Sequence, residues 1–217
     1  MLVKMWMTKK LVVAKMETTI SEAEALLREN NIRRLLVVDD DSQLRGVLSR
    51  EDVRKALPSL IDPDREDAER VLANEAKAAS FMTESPITVS PNTPLEKVAR
   101  LMQKNKVGGV PVVENGKLVG IITESDIFRA FIDIMGGDDE GVRLELFIDN
   151  SAQAIYDVMD ILSEHEVLLQ SISLYKEYSG SQQLLTVKVT GDEMEEVIES
   201  LWDGGIKVGS VITPIGE

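Results

Sequence analysis

The sequence predicts a mixed α/β (α+β) chain: two β-α-β-β-α repeats forming one pseudo-two-fold module, followed by a separate β-α-β-β-α-β domain. Two observations predict this. Shifted by 75 residues, Trp6-Met7-Thr8 falls on Phe81-Met82-Thr83, Ile20 on Leu95, Asn30 on Asn105 and Val37-Val38 on Val112-Val113. After a one-residue deletion, Gly46-Val47-Leu48-Ser49-Arg50-Glu51-Asp52 falls on Gly120-Ile121-Ile122-Thr123-Glu124-Ser125-Asp126. Beyond Gly136-Gly137-Asp138-Asp139-Glu140-Gly141 the apolar pattern restarts with no trace of the repeat.

Each repeat opens on a short apolar strand, Leu11–Ala14 and Ile87–Val89. A helix follows. In the first copy Ile20, Ala23, Leu26 and Leu27 share its apolar face; in the second Leu95, Val98, Leu101 and Met102 do. Thr93 is the expected cap of the second helix, with Pro94 in its first turn and Glu96 closing a capping box. Two β-branched strands come next, Leu35–Val38 with Leu44–Leu48 and Val110–Val113 with Leu118–Ile122. The turns Asp39-Asp40-Asp41-Ser42 and Glu114-Asn115-Gly116-Lys117 join them. A second helix starts at Ser49-x-x-Asp52 and Thr123-x-x-Asp126. Each unit, at about fifty residues, is short for its own core, so the two copies are expected to pack together.

In the tail, Val142–Asp149 reads as a strand and Gln153–Glu166 as a helix with Ile155, Val158, Met159 and Leu162 on one face. Leu168–Tyr178 and Gln182–Thr190 form a hairpin, Glu193–Trp202 a helix ended by Gly204-Gly205, and Val208–Ile215 a closing strand. That order is ferredoxin-like. The domain plan is 1–57, a helical linker 58–79 holding the charged stretch Arg65–Lys77, 80–135, a flexible acidic hinge 136–141, and 142–217.

Net charge is −14, unevenly spread: residues 1–141 carry 20 Lys/Arg against 24 Asp/Glu, and residues 142–217 carry 4 against 14. So acidic a tail argues against nucleic acid, whose phosphates dominate its affinity for proteins. No apolar run is long enough to span a bilayer and the N-terminus lacks a signal peptide, so neither membrane nor secretion is expected and the chain reads as cytoplasmic. With no cysteine there is no disulfide framework. No catalytic constellation, P-loop or Gly-rich dinucleotide turn is visible, and His165 reads as a solvated residue near a helix end. Met5, Trp6, Met7 and Phe81 read as core. The chain is therefore expected not to be an enzyme, with no cofactor required.

The twice-repeated Gly-h-h-Ser/Thr-x-x-Asp, closing a β-α-β-β unit each time, resembles the CBS domain over roughly residues 5–133. Helix N-termini with unpaired N–H groups favour anions, and the carboxylate three residues on can accept hydrogen bonds from both ribose hydroxyls. The same residues also make ordinary capping boxes. The resemblance implies paired clefts for AMP, ADP, ATP or S-adenosylmethionine, each composite between repeats. Carried over residue by residue, one cleft joins Thr123 and Asp126 to Lys10, Leu11, Val13, Ile32 and Arg33, with Arg33-Arg34 as phosphate-facing cations. The other joins Ser49 and Asp52 to Ser85, Pro86, Thr88, Val107 and Gly108. Pro111 supplies the proline common before the family's second-strand valines, where Leu36 stands in the first repeat, so the Asp126 cleft is the favoured one.

The tail resembles the ACT domain over roughly residues 142–215. Its first strand-to-helix turn, Asp149-Asn150-Ser151-Ala152-Gln153, lacks the glycine of amino-acid-binding members. Homodimer formation is the expected role. The whole order resembles the acetoin-utilisation regulatory proteins of bacteria. It implies an adenine-nucleotide sensor controlling a partner protein not identified by sequence; a ligand-independent dimerisation module is the alternative.

Overall fold

A computed structural model describes residues 1–56, 75–137, 140–179 and 182–213. It divides into two units, Met1–Phe128 and Arg129–Glu217. The charged stretch expected at Arg65–Lys77 lies, up to residue 74, outside the described residues.

The first sheet grows around β2 (Arg34–Val38), in which Leu35, Leu36, Val37 and Val38 are all buried. A strand covered on both faces needs such an unbroken apolar run. β1 (Val13–Lys15) pairs with β2 in parallel, and α1 (Ile20–Glu29) makes the crossover. β3 (Leu44–Ser49) pairs with β2 antiparallel and leads into α2 (Arg50–Ala56). Ile20, Ala23 and Leu27 of α1 meet Leu35, Val37 and Leu48 in one core.

α1 is started by Thr19, whose hydroxyl accepts from the Glu22 backbone N–H while the Glu22 carboxylate accepts from the Thr19 N–H at 2.8 Å. Those bonds to Thr19 hold the Glu22 carboxyl below its ordinary value. Because the folded state binds that proton less readily than the unfolded chain, the stability so gained is present at neutral pH and lost as pH falls through the carboxylate range. Thr19→Ala is expected to lower stability by about 1 kcal/mol and to flatten that acid limb, both readable in thermal melts over a pH series.

The second repeat is built alike: α3 (Leu95–Asn105), the antiparallel pair β5 (Gly109–Glu114) and β6 (Lys117–Thr123), then α4 (Glu124–Ile134). Its first strand is reduced to one parallel bridge, Val89 with Val112. The expected Thr93 cap does not form. Pro94 holds the cap position and the Thr93 hydroxyl accepts from the Ser90 N–H instead. Pro94 aligns with Thr19, so the second copy has replaced a capping side chain by a residue whose fixed φ presets the turn.

Each repeat completes the sheet of the other. Thr83-Glu84 (β4) pair with Val47 and Gly46 of β3, and Thr8 pairs with Ile121 of β6. Just before these, Ala78 donates its N–H to Thr18 of the first repeat, and Val3 donates to Thr93 of the second. Both anchor residues are fully buried. The exchange explains the repeated glycines. A Cβ on Gly46 would strike the Met82 side chain, and one on Gly120 would lie 2.7 Å from the Met7 sulfur. The exchange also corrects the reading of the apolar opening segments as core: Met5 is 64% exposed and Phe81 38%. Met5 lies in the single 3-10 turn Val3–Met5 and Phe81 ends its counterpart Ala78–Ser80, short turns in which only Val3 and Ala78 are buried.

The second unit holds β7 (Val142–Asp149), α5 (Ala152–Glu164), β8 (Leu168–Ser179), β9 (Gln182–Thr190), α6 (Met194–Asp203) and β10 (Lys207–Ile212). Its antiparallel sheet runs β10-β7-β9-β8, the split order of a ferredoxin-like fold. Leu144, Leu146, Leu185 and Val187 face Val158, Leu162, Val197 and Leu201 of the helices. Ser151 caps α5, its hydroxyl accepting from the Ala154 N–H. His165, read as solvated, is half-buried and hydrogen-bonds Ser200 at 2.8 Å, joining the end of α5 to α6. The start of the expected hinge is tied down: Arg143 and Ser171 donate to the Met135 carbonyl and Lys188 donates to that of Gly136. No described helix is long and apolar enough to cross a membrane.

Candidate ligand clefts

Two clefts lie in the first unit, related by the repeat. The first, about 380 Å³, is lined by Asn31, Ile32, Arg33 and Arg34 of one repeat and by Ile121, Thr123, Glu124 and Ser125 of the other, with Thr8 and Gly108. The second, about 400 Å³, is lined by Val47, Ser49 and Asp52 and by Lys106, Val107, Gly108, Gly109 and Pro111, with Arg34, Thr83 and the segment Ser85–Ile87. Such volumes fall in the ordinary range for small-ligand sites.

The second cleft gathers Ser49, Asp52, Ser85, Pro86, Val107 and Gly108 of the expected set and leaves Thr88 out. Its floor is the start of α2. There the Asp52 Oδ2 accepts from the Ser49 backbone N–H at 2.9 Å and its hydroxyl at 2.5 Å, and that hydroxyl accepts in turn from the Asp52 N–H. The capping box thus uses one carboxylate oxygen. Oδ1 of Asp52 has no hydrogen-bond partner among the described residues and belongs to a residue on the cleft wall.

The first cleft gathers Thr123, Ile32, Arg33 and Arg34, and leaves out Asp126, Lys10, Leu11 and Val13. Asp126 is 5% exposed, and its Oδ2 accepts from the Thr123 N–H at 2.8 Å and hydroxyl at 2.7 Å. Both carboxylates thus cap their own helix starts, and Asp52 also stands on a cavity wall. Ser85 turns through a left-handed φ of 46°, which carries Ser85–Ile87 over the second cleft. Lys10, its equivalent, lacks that turn, and the segment after Thr8 runs off to β1.

Several lining residues escaped the sequence reading. Thr8 and Thr83 are identical across the repeat and line equivalent walls, so their repetition was a usable signal. Glu124 and Lys106 carried none, since their counterparts Arg50 and Asn31 differ in charge.

Arg34 lies on both clefts. It is half-buried; burial, with Arg33 adding, pulls its guanidinium below the ordinary value, while Glu124 opposes this. Its space comes from glycine. The guanidinium occupies the place a Cβ on Gly108 would take, and Cδ stands 3.0 Å from that of Gly109. Among the described residues no group of three or more His, Cys, Asp or Glu could hold a metal ion.

The profile of the CBS domain matches residues 3–59 and 78–133, just over half of the chain. The chain belongs to the CBS-domain family. A CBS domain-containing protein of Dictyostelium discoideum is 34% identical over 135 residues, covering 62% of this chain and 93% of that protein. The chain spans only 23% of the L-aspartate semialdehyde sulfurtransferase of Methanocaldococcus jannaschii, at 33% identity. Among solved structures, CBSX2 in complex with AMP is 34% identical with a TM-score of 0.52, covering 61% of this chain and 97% of that one. The CBS pair of MJ0100 in complex with 5'-methylthioadenosine and S-adenosyl-L-methionine is 31% identical with a TM-score of 0.52, covering 64% and 98%. AcuB of Vibrio cholerae is 29% identical with a TM-score of 0.53, covering 64% and 98%. The CBS profile match ends at residue 133, before the second unit's sheet.

Proposed function

We propose that this CBS pair is a regulatory sensor of adenine nucleotides and not a catalyst. The observation that carries the reading is the helix start at Ser49 and Asp52, which presents a carboxylate oxygen with no described partner on the wall of a 400 Å³ cleft. A ribose diol is a fitting donor to that oxygen. The apolar wall of Val47, Pro86, Ile87, Val107 and Pro111 suits a flat base, and Arg34 and Lys106 suit phosphate. The bound ligands of CBSX2 and MJ0100 support the same class of compound.

The order of the second unit's sheet supports an ACT-type domain that dimerises the chain, and through the two domains the chain would control a partner protein. On this reading the boundaries are 1–57 and 80–135 for the CBS repeats, 58–79 and 136–141 for the connections, and 142–217 for the ACT-type domain, in a cytoplasmic homodimer with no nucleic-acid or membrane partner. A ligand-independent assembly module is the competing reading, and it has no use for the two clefts.

Thermal melts of the intact chain with AMP, ADP, ATP and S-adenosylmethionine separate the two. A ligand at a hundred times its dissociation constant adds about 2.7 kcal/mol to stability, a shift of several degrees. An unchanged melting temperature with all four would contradict the sensor reading and favour assembly.

A further inference from the structure

We infer that Arg34 is a specificity-determining residue shared by the two clefts, and that it limits the pair to one tightly held phosphate-bearing ligand at a time. The inference rests on the nucleotide reading above and adds a rule of occupancy to it. Arg34 and Gly108 are the residues common to both walls. The repeat makes this asymmetric. Arg33-Arg34 in the first copy stand where the second has Gly108-Gly109, so one strand start supplies two cations and the other only the room to hold one of them.

Beside Gly108 the Arg34 guanidinium and the Glu124 carboxylate approach the same space without closing into an ion pair. Oε2 of Glu124 lies 2.6 Å from the place of the same missing Cβ. Glu124 lines the first cleft but not the second. The charges then decide the outcome. The first cleft is lined by Arg33, Arg34 and Glu124, and the second by Arg34, Lys106 and Asp52. Each wall has an excess of one cation while it commands Arg34, and none when Arg34 is committed to the other. A phosphate in the second cleft draws the guanidinium away from Glu124 and leaves that carboxylate to repel a phosphate in the first. A phosphate in the first cleft leaves Lys106 balanced by Asp52 in the second. A second ligand without phosphate suffers neither penalty.

Titration of the full-length chain with AMP, and with adenosine as the uncharged probe, tests this by calorimetry. Two AMP steps are expected, with a ratio of dissociation constants more than tenfold wider than that of adenosine; coupling of this size is common between linked sites. Adenosine is expected to fill both clefts with only the separation that Asp52, lining the second alone, gives it. Glu124→Gln, at an exposed position, should draw the two AMP steps together by tightening the second. Arg34→Gln should weaken both and bring the AMP separation down to that of adenosine; if it fails to fold, the Glu124 variant decides alone. An AMP separation no wider than that of adenosine, or one that Glu124→Gln leaves unchanged, would overturn the inference while leaving the sensor reading intact. A single adenosine site would overturn it too, since the second cleft would then take no ligand. Failure of both AMP and adenosine to bind would remove the sensor reading itself.

Discussion

Asp52→Asn is expected to weaken AMP at its cleft about tenfold to a hundredfold, because two ribose hydroxyls lose a charged acceptor and hydrogen bonds to charged groups contribute roughly 1.5–3 kcal/mol each. The amide keeps the size of the side chain and can still accept one bond from the start of α2, so the fold is expected to survive with a small loss of stability. Calorimetry of the variant beside its thermal melt separates the two effects. Asp126→Asn provides the contrast. That carboxylate is buried against Thr123 and lines neither of the two clefts described, so its substitution should cost more in the melt than in the titration. Equal loss of AMP affinity in both variants would mean that both aspartates reach ligand.

Gly46→Ala is expected to destabilise the chain by about 1–3 kcal/mol, the usual cost of overpacking, and to do so more than Gly120→Ala. At Gly46 the added methyl meets the Met82 side chain, with its Cγ at 2.7 Å, and also the Thr83 carbonyl oxygen at 2.9 Å. The carbonyl belongs to the exchanged strand and cannot withdraw without breaking its pairing with Val47. At Gly120 the contact is chiefly with the flexible Met7 side chain, and the Thr8 oxygen is 3.2 Å away. Met82→Ala in the Gly46→Ala background should recover part of the loss, because it removes the side-chain clash and leaves the backbone one. Urea titrations of the three variants report this order. No difference between the two glycines would show that the exchanged segments are not held as described.

These two positions also show what could be read before the structure. The repeat, the strand pairs and both helix starts followed from apolar spacing and from two copies of one motif. The β-α-β-β-α-β order of the tail followed in the same way, since alternation and helical periodicity survive in long elements such as β7 and α5. The exchange of opening segments did not follow. A two-residue strand carries no periodicity to say which sheet it joins. The signal lay in a correlation across the chain, with a glycine in each motif facing a methionine from the other repeat. Thr93 was misread because a hydroxyl one residue before a proline looks like a cap, and only the backbone path shows that it serves Ser90 instead. Asp52 and Asp126 are indistinguishable in sequence, since both follow a hydroxyl residue by three. What separates them is the left-handed turn at Ser85, which brings a wall over one and has no counterpart at Lys10.

An adenine nucleotide is expected to sit against the start of α2 with its ribose on Asp52. A crystal structure of the full chain grown with AMP measures this directly. Density for the nucleotide between Val47 and Pro86, with both ribose hydroxyls donating to the Asp52 carboxylate and the phosphate near Arg34, is the predicted result. Saturating AMP with that cleft empty, or with the ligand bound elsewhere on the chain, would contradict it.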